Sequence, residues 1–100
     1  MLVAFSVTPI GTESASVAAD VAEAVRIVRA SGLPNETSSM FTTLEGEWDE
    51  CMAVVKGAVD AVARFGPRVS LVLKADIREG YAGELTAKVQ RLEAAIDAQS

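Results

Sequence analysis

Between Thr37 and Gly46 the chain reads Thr-Ser-Ser-Met-Phe-Thr-Thr-Leu-Glu-Gly, its densest run of side chains able to hold a polar molecule. Hydroxyls donate and accept hydrogen bonds, and the carboxylate of Glu45 accepts only, so the set suits a ligand edge of mixed polarity. The same run is rich in β-branched residues, which predicts a hairpin or a kinked strand at the centre of a sheet. A ligand, if the protein has one, is expected here. Other chemistries lack their residues. The chain has no histidine and one cysteine, Cys51, so histidine acid–base catalysis and transition-metal sites have no obvious base or ligands. An acid–base pair would have to come from Glu45, Glu36, Asp76 or Tyr81, and nothing raises these above background. No enzymatic activity and no cofactor are expected.

The composition narrows the class further. One hundred residues, half of them apolar, predict a single globular domain, 1–100, with one hydrophobic core. A net charge of −5 argues against nucleic acid, which needs a basic face. No run of about 18 apolar residues occurs, so no membrane span is expected. The opening Met-Leu-Val-Ala-Phe-Ser-Val lacks the basic flank of a signal peptide and reads as a strand. A lone cysteine forms no internal disulfide, and cytoplasmic residence is the simplest expectation.

Positioning the central run falls to the elements around it. Leu2 to Pro9 alternates as a strand, with Val3, Phe5 and Val7 on one face and Leu2, Ala4, Ser6 and Thr8 on the other. Ser16 is the expected N-cap of a helix whose stripe is Val17, Val21, Ala24 and Val28. Ser31-Gly32 ends that helix, and Pro34 prevents it from resuming. Asn35 to Ser39 and Thr42 to Glu47 are two expected short strands, bent at Met40 and Phe41. A second helix sets Trp48, Met52, Val55, Val59 and Val62 on one stripe and stops at Gly66-Pro67. Gly57 inside it costs up to about 1 kcal/mol relative to alanine, which points to close approach by a neighbouring element. Arg68 to Ile77 alternates again, and a third helix carries Leu85, Val89, Leu92 and Ile96. Strand, helix, strand, strand, helix, strand is the order of a ferredoxin-like α+β sandwich, βαββαβ, here with an additional C-terminal helix.

That fold puts two helices on one face of the sheet and leaves the other bare. The bare face, with Leu2, Ala4, Ser6 and Thr8 or their alternates and Val72 nearby, is flat and moderately apolar. A small monomer does not usually leave such a patch in water, so oligomerisation through the sheets is expected.

Val-Thr-Pro-Ile-Gly-Thr, Val7 to Thr12, resembles the small thiamine-binding protein family, the YkoF-like proteins of ferredoxin-like fold. Ser16-Val17, Glu23-Ala24-Val25, Ser31-Gly32-Leu33, Met40 to Glu47 and Pro67-Arg68-Val69 extend the resemblance, in order, over essentially the whole chain. Two positions depart from it: Phe41 stands where the family has the glycine of Met-Gly-Thr, and Ser39 where a proline is common. The resemblance implies a cytoplasmic homotetramer or homodimer that binds thiamine or its hydroxymethylpyrimidine moiety without catalysis. For such a ligand Ser38, Thr42 and Glu45 would meet the pyrimidine edge, and Met40 and Phe41 its face, with Trp48 a further candidate for that face. Ser6, Thr8 and Thr12 would join from the neighbouring strand and loop.

Each of these residues also has a plainer use. Glu45 precedes a helix and would favour its positive N-terminus. The hydroxyls would serve as β-formers, turn residues and caps. Trp48 begins an apolar stripe and reads as core, and Cys51 as an inert thiol. On that alternative the protein is a structural or regulatory homo-oligomer with no small-molecule ligand.

Overall fold

The computed structural model describes residues 1–11 and 18–99. Seven elements follow one another: β1 (Leu2–Ile10), α1 (Ala18–Ala30), β2 (Asn35–Thr37), β3 (Thr42–Glu45), α2 (Trp48–Ala63), β4 (Arg68–Asp76) and α3 (Glu84–Gln99). The four strands form one antiparallel sheet in the order β2-β3-β1-β4. This is the ferredoxin-like α+β arrangement with a C-terminal helix added.

Register decides which side chains face α1 and α2. Val3 lies opposite Leu44 and Ala75, and Phe5 opposite Thr42 and Leu73. This row packs with Val7, Ala24, Val28, Val55, Ala58 and Val62 into the core. The alternate row places Leu2, Ala4, Ser6 and Thr8 beside Asp76, Lys74, Val72 and Ser70 on the face away from those helices. The period-two pattern of both long strands thus fixed the two sides of the sheet. Leu71 and Leu73 belong to the helix side, yet 43% and 36% of their surface stays open because β4 is an edge strand.

Local chemistry explains most of the boundaries. α1 ends where the Ser31 hydroxyl bonds back to the Val28 carbonyl and Gly32 adopts a left-handed φ of 77°. Its expected N-cap, Ser16, and Val17 lie outside the described residues. α2 starts with the Glu47 N–H donating to the Glu50 carboxylate at 3.0 Å, half of a capping box. Gly57 faces α1: a Cβ there would stand 3.2 Å from Ile27 Cγ2, so the glycine marks a close helix–helix approach. The buried stripe of α2 runs through Cys51, Val55, Ala58 and Val62. Trp48 is 54% exposed, contrary to its expected core place, because it opens the helix ahead of the first buried turn.

Candidate ligand-binding cleft

The hairpin strands are shorter than the sequence predicts because Ser38 closes the chain early. Its N–H donates to the Phe41 carbonyl at 2.8 Å, and its hydroxyl donates to the same oxygen at 3.1 Å. The Phe41 N–H returns a bond to the Ser38 hydroxyl at 3.3 Å. Residues 38–41 therefore form a tight turn at the end of β2 and β3, with Met40 at its exposed tip. No described non-glycine residue has a positive φ. Phe41 thus takes its place in the turn without backbone strain.

This turn leans over the middle of β1 and the start of α1. Between them lies a cleft of about 150 Å³. Of the sequence-predicted site residues, Ser6, Thr8, Ser38, Met40, Phe41 and Thr42 all line it. They come from three separate stretches, which the β1–β3 pairing and the hairpin turn bring together. Thr12 lies outside the described residues. The cleft also takes in Val21 and Val25 from α1, which sequence reasoning did not assign to a site. Their four-residue spacing gives an apolar wall beside the core stripe, a signal that reads equally as packing.

Glu45 is placed elsewhere. It projects from the end of β3, 8% exposed, and is not part of the cleft wall. One carboxylate oxygen accepts the Glu84 N–H at 2.9 Å and the other the Leu85 N–H at 3.2 Å. Both donors belong to the first turn of α3, whose amides have no partner within the helix. The helix terminus that Glu45 serves is thus that of α3, brought back from 39 residues away, and not that of the adjoining α2. With Glu45 removed, the cleft is lined by hydroxyls and apolar groups and carries no formal charge.

The thiamine-binding protein family model matches residues 3–93. The chain belongs to that family. A Mycobacterium bovis protein of the uncharacterised UPF0045 group is 54% identical over 94 residues, spanning 93% of this chain and 91% of its own. A Methanothermobacter thermautotrophicus member of the same group is 39% identical, over 88% of this chain and 91% of its own. The crystal structure of a hypothetical Methanocaldococcus jannaschii protein superposes with a TM-score of 0.83 at 30% identity, covering 92% of this chain and 94% of the other. A Thermotoga maritima protein proposed to act in thiamine biosynthesis or salvage gives 0.74 at 26%, covering 89% and 96%. A thiamine-related role is therefore the family setting in which the cleft is read. Among the described residues no helix is long and apolar enough to cross a membrane.

Proposed function

We propose that this chain binds the hydroxymethylpyrimidine moiety of thiamine in the cleft between β1, α1 and the β2–β3 turn, without catalysing a reaction. The observation that carries this reading is that Ser6, Thr8, Ser38 and Thr42 line one concavity with Met40 and Phe41, Ser6 and Thr8 entering it from the row of β1 that faces away from α1 and α2. Hydroxyls suit an aminopyrimidine edge, with Ser38, whose hydrogen goes to the Phe41 carbonyl, limited to accepting, and the apolar walls match its face. The volume discriminates between ligands. About 150 Å³ accommodates one ring, whereas sites that bury a drug-sized molecule typically offer about 300–1,000 Å³. The cationic thiazolium of whole thiamine meets no carboxylate among the residues of the cleft wall. The free pyrimidine is accordingly the better fit.

The same reading takes the protein as a cytoplasmic homo-oligomer. Every side chain of α3 from Lys88 to Gln99 is exposed, including Val89, Leu92 and Ile96. A helix of this length is marginal in water without an apolar partner. A second copy supplies one. The observation also favours the alternative of a purely structural homo-oligomer, and ligand binding separates the two. Hydroxymethylpyrimidine held at a hundredfold its dissociation constant should stabilise the fold by about 2.7 kcal/mol in a thermal melt, with thiamine doing less. No shift with either compound at millimolar concentration rules out the binder and leaves the scaffold.

A further inference from the structure

At the Met1–Leu2 end of β1, away from the pyrimidine cleft, two adjoining cavities share Met1, Arg78 and Tyr81. One, of about 270 Å³, is lined by Arg78, Lys88 and Arg91 together with Asp76 and Glu84. Three cations therefore face two carboxylates, in a protein whose net charge is −5. Both carboxylates are engaged: Asp76 with Lys88, and Glu84 with Arg91 at 2.6 Å. The Asp76–Lys88 pair is half-exposed, of the kind that solvent weakens and a stronger anion displaces, whereas the Glu84 carboxylate is buried and holds Arg91 at the rim of the recess. Arg78 pairs with no carboxylate among the described residues. Its guanidinium lies 3.7 Å from the Tyr81 ring centre and donates to the Tyr81 hydroxyl at 2.8 Å. Stacking of this kind holds the guanidinium plane in place with its remaining N–H groups free for an oxyanion. The amides at the start of α3 are already taken by Glu45, so the positive potential comes from side chains.

The second cavity, of about 380 Å³, has Trp48, Ile77 and Tyr81 in its wall together with the carboxylates of Glu47 and Glu79. The first three are large apolar or aromatic side chains between 46% and 66% exposed. Neither the core nor the hairpin cleft uses them. The combination is an exposed aromatic and apolar surface, edged by Glu47 and Glu79, that adjoins a recess holding three cations and two carboxylates.

We propose that these joined cavities form a second binding site, for a phosphate monoester carried on a flat ring: Arg78, Lys88 and Arg91 take the phosphate, and Trp48 and Tyr81 take the ring. Phosphate suits the forked donors of two arginines and a lysine. The ring adds a stacking surface that inorganic phosphate lacks. The site shares no residue with the pyrimidine cleft and does not depend on it.

Calorimetric titration with 4-nitrophenyl phosphate, inorganic phosphate and 4-nitrophenol tests the assignment. The aryl phosphate should bind most tightly, with an affinity that falls as salt is raised. Arg78→Gln should weaken it about tenfold, and Lys88→Gln, on an exposed side chain, gives the same direction should the first variant fold poorly. Trp48→Ala should weaken the aryl phosphate and leave inorganic phosphate unchanged. Ser38→Ala, in the other cleft, should affect neither. Absence of binding at millimolar aryl phosphate overturns the proposal, as does an aryl phosphate no tighter than inorganic phosphate. An affinity indifferent to both cation variants overturns it equally. Unphosphorylated hydroxymethylpyrimidine reports on the first cleft alone, so the two readings fail separately.

Discussion

Glu45 shows how a single side chain is misread when only its neighbours in sequence are known. Its type and position beside the hydroxyl run suited a ligand edge, whereas its carboxylate bridges β3 to the start of α3. Charge-assisted bonds of this kind contribute about 1.5–3 kcal/mol each when buried. Glu45→Ala should lower the unfolding free energy in urea by about 2–4 kcal/mol and speed amide exchange at Glu84 and Leu85. An unchanged urea midpoint would show that α3 is held by something else. Burial pushes the Cys51 thiol above its ordinary range and keeps it protonated, consistent with the inert role expected of it. At the surface, the Lys88 ammonium beside Asp76 holds that carboxyl below its ordinary 3.8. A lowered carboxylate adds stability above its unfolded value and loses it as pH falls through the folded one. An NMR titration should place the Asp76 midpoint below 3.8, and Lys88→Ala should return it towards that value. A midpoint unaffected by the substitution would mean the pair does not persist in solution.

At the level of elements, the periodic patterns were the legible part. Val3, Phe5 and Val7 set the core face of β1, and the glycine interrupting α2 marked its contact with Ile27. The Ser31-Gly32 stop held because a hydroxyl and a left-handed glycine are local devices, complete within a few residues. Ser6, Thr8 and the hairpin hydroxyls share one cleft because strand pairing follows from strand order in this fold. What escaped the sequence is long-range or at an end. No spacing connects Glu45 with Glu84. Trp48 matched the helical stripe in phase but stands outside it in position. α3 has a helical pattern that no other described part of the chain covers beyond the first turns. On the proposal that copies associate through this helix, Leu92→Asp should leave the chain's secondary structure intact while reducing the mass seen by light scattering. Retention of the full oligomer would place the interface away from that helix.

The whole molecule is acidic and elongated, 51 × 31 × 19 Å, with one concavity beside the middle of its first strand and another at the Met1–Leu2 end. The sheet face opposite α1 and α2 carries Ala4, Ser6 and Val72, and α3 folds back over only its Leu2–Thr43 corner. Association of copies through these surfaces would cover apolar area and, at about 150 Å³, a cleft too shallow to close over a ligand unaided. Assembly and binding would then be joined. Amide chemical-shift mapping with hydroxymethylpyrimidine reads the proposed site itself. Amides of Ser6, Thr8, Ser38, Phe41 and Thr42 should shift in a saturable manner, with those of Trp48 and Arg78 unmoved. A saturable response centred on any other surface, or none at millimolar ligand, would contradict it.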